Sequence, residues 1–345
     1  LTNLDPHSEY MNTKKHQALM DDTRQEFGGI GIVVSIRDDW LTIISPMEGT
    51  PGARAGLRPG DRIVRIGDQS TEGMGINDAV NLMRGKVGTE VTINIAREDE
   101  EKDLEITLKR ERIKTKSVRD LNSKGDYPLF EDGIGYVRLG GFSENTATEL
   151  EAALTKMEEA GLKGLVLDLR DNPGGLLTQS ARVAEKFIKA GQLIVSTEGR
   201  GARELDRLVA TVIGHRTLPM VILINGGSAS ASEIVAGCLQ DLKRAELIGT
   251  RTFGKGSVQS ILPLKDGSAL RLTTAKYYTP SHRTIHEKGI EPDYVVEMTP
   301  EQMRDIMLQR SPGGLETLPE EDRERVKAAT DSQLDKALEI LREKL

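Results

Sequence analysis

The sequence predicts a mixed α/β protein: a layered, sheet-centred core joined to a smaller β-rich module, with helical segments at both ends. Three observations predict it. From about Gly28 to Lys109 the texture is short strands punctuated by turns, beyond about Ile134 strands and helices alternate, and two continuous apolar strands run straight into glycine-rich turns. A length of 345 residues suits two compact units.

Composition narrows the function classes. A hydrophobic fraction of 37% supports a sizeable core, and 54 acidic against 47 basic residues give a net charge of −7, spread along the chain. That balance excludes a nucleic-acid footprint and offers no basic block for a membrane surface. No run approaches the roughly eighteen apolar residues of a membrane span, so the chain reads as soluble. It opens on Leu1, which leaves export through an upstream leader undecided. The single Cys238 excludes an internal disulfide and a cysteine-built metal site, and packing is its expected role.

Within the first module, strands are expected over 31–35, 40–45, 61–66, 90–96 and 103–108. Short helices are expected over 51–55, closed by Gly56, and over 76–83, where Ile76, Val80 and Met83 share one face. Gly60-Asp61 and Gly67-Asp68 supply turns. In the core, Thr146 and Glu149 read as a capping-box pair ahead of Leu150, Leu154 and Met157, with Gly161 closing that helix. The 164–169 and 220–224 segments read as strands of a covered sheet. Their glycine-rich turns, 171–175 and 225–227, belong at the same sheet edge, where open α/β sheets gather ligands. A strand over 246–249 leads to Lys255 between two glycines, then to a hairpin over 257–274 turned by Lys265-Asp266-Gly267. Past Pro300, Ser311-Pro312-Gly313-Gly314 breaks the chain, and Leu334, Leu338, Leu341 and Leu345 mark an amphipathic stripe that packs on its own domain or on another subunit.

The chemistry gathers around two segments. Ser228-Ala229-Ser230-Ala231-Ser232-Glu233 follows a buried strand and opens a helix, so a hydroxyl sits where unpaired N–H groups favour developing negative charge. A serine here also serves as a plain helix cap, and spacing alone leaves Ser228, Ser230 and Ser232 equivalent. A serine nucleophile needs a base, and none of the five histidines lies in a recognisable triad motif. A lysine neutral near pH 7 to 8 requires a pKa lowered by roughly 2 to 3 units, which burial can impose. Lys255, beside Phe253 and drawn inward, is the candidate, against the alternative of a solvated loop lysine. On an extended segment Ser257 and Gln259 share a face, placing an uncharged amide where it could hold the amine.

The run 225–233 together with Phe253-Gly254-Lys255-Gly256-Ser257-Val258-Gln259 resembles the active-site signature of the carboxyl-terminal-processing, or tail-specific, serine proteases of family S41. In that family the middle serine is the nucleophile and the lysine follows 25 positions later, as Lys255 follows Ser230 here. The resemblance extends to Leu4-Asp5-Pro6-His7-Ser8, to 27–32, to 168–175 and to Gly289-Ile290-Glu291-Pro292-Asp293. It implies a crotonase/ClpP-like protease core with an inserted PDZ domain: a helical segment over 1–26, the PDZ domain over 27–114, the protease core over 115–300 and a helical segment over 301–345. It further implies a Ser230, Lys255 and Gln259 catalytic set and an oxyanion hole from the N–H of Ala231 and one in the Gly174-Gly175 turn. A carboxylate-binding loop is implied at Gly29-Ile30-Gly31-Ile32, with Arg84 sensing the bound tail. The family's activity is endopeptidase cleavage of proteins with exposed C-termini, through an acyl-enzyme and with no metal or organic cofactor. An adaptor, a homo-oligomer and a bacterial cell-envelope location, with the plastid lumen as alternative, are the remaining expectations. His282 and His286 stand where that signature requires no histidine and are expected at the surface.

Overall fold

The computed structural model describes residues 1–345 apart from 1–4, 6, 7, 25, 38, 48, 98, 99, 101, 115, 202, 213, 214, 311–314, 316 and 317. Leu4, Pro6 and His7 of the opening motif, and the Ser311 to Gly314 break, therefore lie outside the described residues. The chain divides into two compact units: Leu1–Arg24, Lys116–Met298 and Asp331–Leu345 form one, and Gln25–Thr115 with Thr299–Thr330 form the other.

The first unit is built on a six-stranded sheet. Ile134–Leu139, Gly164–Asp168, Met220–Ile224, Glu246–Gly249 and Tyr294–Val295 run parallel in that spatial order, and Val118–Arg119 adds an antiparallel edge. Gly164–Asp168 and Met220–Ile224 are buried at every position, as expected of parallel strands covered on both faces. On one face the helices Thr146–Glu159, Leu177–Ala184 and Ala231–Asp241 pack through Leu150, Leu154, Val183 and Val235 onto Leu167 and Ile222. On the other, Ser332–Lys344 lays Leu334, Leu338 and Leu341 against Val166, Val221 and Leu223. The terminal stripe is thus consumed within the chain, and Leu345 remains 51% exposed.

A second, antiparallel sheet in this unit joins Ser257–Pro263 to Ala269–Tyr278, and the latter to Leu193–Glu198 and Glu9–Met11. The N-terminal residues are therefore stitched into the core by strand pairing, and residues 331–345 by apolar burial. Both ends carry helix, Thr13–Arg24 at the start and Pro300–Arg310, Glu320–Lys327 and Ser332–Lys344 beyond residue 299. The expected capping box is absent. Asn145 is the N-cap of Thr146–Glu159, and Glu149 Oε2 accepts the backbone N–H of Ser117 and Val118 at 2.8 and 3.2 Å, a tertiary contact that outcompetes the local one.

In the second unit, Ile32–Arg37, Trp40–Pro46, Arg62–Ile66, Glu90–Ala96 and Leu104–Lys109 form an antiparallel sheet in which Ile32–Arg37 is an edge strand. Leu41, Ile43, Ile63, Ile93 and Ile95 are fully buried beneath it, and along Glu90–Ala96 buried positions alternate with more exposed ones as a half-covered sheet demands. The helix Ile76–Met83 buries Ala79 and Met83.

Candidate active site

The parallel strands deliver two turns to one sheet edge. Gly164–Asp168 runs into 171–175 and Met220–Ile224 into 225–230, and the turns are tied to one another. Asn172 O accepts from Ala229 N at 3.0 Å and from Ser232 Oγ at 2.9 Å, while Asn225 Oδ1 accepts from Asp171 N at 2.9 Å. A Cβ on Gly174 would stand 2.7 Å from Ala229 O and 2.9 Å from the Ser230 Cβ, so only glycine permits this approach.

The three serines separate by environment. Ser228 is fully buried and its hydroxyl donates to Leu169 O at 2.8 Å; Ser232 is fully buried on Asn172. Ser230 alone is half-buried, and its backbone stands at φ +56°, ψ −112°, a conformation a non-glycine residue adopts only when its surroundings impose it. It occupies the N-cap of Ala231–Asp241. Among the described residues the N–H groups of Ala231 and Gly175 have no acceptor, whereas Gly174 N–H donates to Asn172 Oδ1 at 2.9 Å.

A residue to which sequence reasoning assigned no role organises the site. Glu233, fully buried, accepts from Ser230 N at 2.7 Å and Lys255 N at 2.9 Å through Oε2, and from Gly254 N at 2.7 Å and Thr252 Oγ1 at 2.6 Å through Oε1. Burial pushes its carboxyl above the usual range, against the pull of these four hydrogen bonds. Its position three residues after Ser230, at the first turn of the helix, is the signal that marks it.

Lys255 is half-buried. Burial pushes its amine toward the neutral form, the Arg271 charge pushes the same way, and Glu233 opposes, leaving the pKa below the ordinary lysine value. Phe253, its expected apolar neighbour, is 65% exposed. The adjoining backbone is closely packed: a Cβ on Gly256 would lie 2.2 Å from His286 N. His286 is accordingly half-buried rather than superficial, because this glycine draws its main chain inward. His282 is exposed as expected, stacked on Tyr278 and paired with Glu198 at 2.6 Å. Gln259 Nε2 donates to Ser257 Oγ at 3.1 Å and Thr273 Oγ1 at 2.8 Å, which places Ser257 and Gln259 on one face.

In the second unit, Gly29, Ile30, Gly31, Ile32 and Arg84 all line one groove of about 210 Å³, together with Val34, Ile76, Val80 and Met83. The groove lies between the edge strand and the helix, so the shared face of Ile76, Val80 and Met83 lines that groove, with Val80 and Met83 packing on the core as well. Arg84 is the C-cap of that helix.

Fold and comparisons together define a serine-type peptidase core joined to a PDZ domain. The family models for peptidase family S41 and for a PDZ domain match residues 133–296 and 42–97. A carboxy-terminal-processing protease of Bartonella bacilliformis is 45% identical over 360 aligned positions, covering 99% of this chain and 81% of that protein. A probable CtpA-like serine protease of Staphylococcus aureus strain N315 is 39% identical over 294 positions, 85% of this chain and 57% of that protein. Among solved structures, the photosystem II D1 C-terminal processing protease superposes with a TM-score of 0.52 at 30% identity, covering 85% of this chain and 78% of that one. A putative S41 protease of Bacteroides fragilis, at 17% identity and a TM-score of 0.57 over 94% and 88% of the two chains, shares the fold. The chain belongs to peptidase family S41, among the carboxy-terminal-processing serine proteases that carry a PDZ domain.

Proposed function

We propose that this chain is an endopeptidase that takes exposed C-terminal tails and cleaves them through an acyl-enzyme on Ser230, with Lys255 as general base. The observation that carries the reading is the shared acceptor: one oxygen of Glu233 binds the backbone N–H of both Ser230 and Lys255, so the hydroxyl-bearing and amine-bearing main chains are held side by side. The neutral amine takes the Ser230 proton as Oγ attacks the scissile carbonyl carbon. The oxyanion is received by the free N–H groups of Ala231 and Gly175. As the C–N bond breaks, the lysine returns the proton to the leaving amine, and it then deprotonates the water that hydrolyses the ester. Gln259 steadies the amine.

The tail enters as an added strand on the free edge of Ile32–Arg37, with its carboxylate at 29–32 and Arg84 near the end of the groove. A cell-envelope location and an adaptor belong to the same proposal and rest on the family resemblance. Assembly into a homo-oligomer loses the support of the leucine stripe, which is occupied within the chain.

A fluorophosphonate reagent, read by intact-protein mass, tests the dyad. The parent is expected to gain one adduct while Ser230→Ala and Lys255→Ala gain none; equal labelling of all three would remove the mechanism.

A further inference from the structure

The amide of Gln259 is held in one direction by a chain of hydrogen bonds that starts 254 positions earlier in the sequence. Gln259 Nε2 donates both its hydrogens, to Thr273 Oγ1 and Ser257 Oγ. Thr273 Oγ1 in turn donates to Asp5 Oδ1 at 2.8 Å. Asp5 also accepts from the N–H and hydroxyl of Ser8, whose Oγ accepts Thr273 N–H at 3.1 Å. Gln259 Oε1 is left buried with no partner. Strand register contributes: Val258 pairs with Ala275 and Gln259 with Thr273, so a bulge at Thr274 brings Thr273 opposite the glutamine.

The polarity of this chain follows from the donor and acceptor capacities of its members. An ionised aspartate only accepts, so the Thr273 hydroxyl gives its one hydrogen to Asp5. Its oxygen is then an acceptor toward Gln259, which turns the NH₂ group to Thr273 and the carbonyl oxygen away from it. Lys255 lies four residues before Gln259, half-buried, and among the described residues its Nζ makes no hydrogen bond or ion pair. A buried free acceptor and a sheltered free donor thus stand on one short segment.

We propose that Asp5 and Thr273 are positioning residues of the active site: they fix the Gln259 amide so that Oε1 receives an N–H of the Lys255 amine in its working position. The amine's lone pair is then left for the Ser230 proton. With the amide reversed, Gln259 would offer an N–H to that lone pair and compete with the serine. The proposal rests on the reading of Lys255 as base. It gives the Asp5 and Ser8 pair of the opening segment a chemical role, although both residues precede the peptide-binding module in sequence.

The rate of Ser230 labelling by a fluorophosphonate, measured against pH and normalised to the folded fraction from thermal melts, tests it. Asp5→Asn can donate to Thr273 and permits reversal; Thr273→Val removes the link; Thr273→Ser keeps it. Asp5→Asn and Thr273→Val are expected to label about tenfold more slowly, the scale of a misplaced general base. Their acid limb should move to lower pH, because an N–H facing the amine disfavours the ammonium form. Thr273→Ser should restore the parent profile. An acid limb that stays in place in both variants, whether the rate is unchanged or falls with stability, overturns the relay. Lys255→Ala is the control for the underlying reading: labelling as fast as the parent sinks the base assignment and the relay with it, whereas slow labelling there beside normal Asp5→Asn and Thr273→Val sinks the relay alone.

Discussion

At the scale of single residues, the site turns on which groups can only accept. Glu233 faces four donors with two oxygens, a set that an ionised carboxylate satisfies and an amide cannot. Glu233→Gln places an NH₂ against backbone N–H groups, and the loss of charge-assisted bonds is expected to reduce kcat/KM by about 10²-fold, roughly 2 to 3 kcal/mol. Steady-state kinetics beside a thermal melt checks this, and an unchanged kcat/KM would show that the bridge is dispensable. The lowered pKa of Lys255 sets the pH dependence: below it the amine is an ammonium and cannot take a proton, so activity should rise as pH climbs through a value under that of a free lysine. A profile flat across this range would contradict the base assignment. The family resemblance reaches Ser230, Lys255 and Gln259, whereas spacing alone leaves the three serines equivalent and burial sets Ser230 apart from the other two. The exposed ring of Phe253 and the half-buried His286 run against sequence expectation, because Gly256 lets a backbone segment thirty residues away pack closely here.

Among the elements, the helix Ser332–Lys344 is anchored as much by a buried ionic clamp as by its leucines. The Arg170 guanidinium, at the end of a core strand, binds Asp168 at 2.6 Å and Asp331, the N-cap of that helix, at 2.9 Å, with all three residues nearly inaccessible. Burial alone would push the Asp168 carboxyl up; the Arg170 charge and hydrogen bonds, with Tyr136 Oη at 2.6 Å, hold it well below the ordinary range. A depressed folded-state pKa contributes stability that is complete above the ordinary carboxylate pKa and drains away as pH falls beneath it. Arg170→Met leaves two buried carboxylates unpaired and is expected to cost about 3 to 5 kcal/mol in denaturant unfolding at neutral pH, a loss that shrinks on acidification. A cost under 1 kcal/mol would mean that water reaches the clamp. The strands were readable because alternation and continuous apolar runs are local signals: Glu90–Ala96, Met220–Ile224 and Glu246–Gly249 fall where the pattern puts them. The capping role of Glu149 was misread because its carboxylate serves a strand more than thirty residues upstream.

For the molecule as a whole, division of labour follows from the two units, each with its own core. The groove lined by Gly29 to Ile32 lies beside a sheet edge, and on the proposed carboxylate-binding reading a peptide ending in a free carboxylate should bind the full chain roughly tenfold more tightly than its C-terminal amide, about 1.4 kcal/mol. Calorimetry with the Ser230→Ala protein measures this without turnover; equal affinities would remove carboxylate reading from the proposed function. The sequence by itself determined the α/β core, the β-rich module and the family, because periodicity, turn chemistry and family motifs are written within short windows of chain. Only the tertiary structure decided which serine is left half-buried, that the lysine is half-buried too, that Glu233 bridges the two main chains, and that Asp5 reaches Gln259 through Thr273. Those are relations of hydrogen-bond polarity and burial between residues far apart in the chain, and a linear pattern carries no record of them until folding brings the partners within bonding distance.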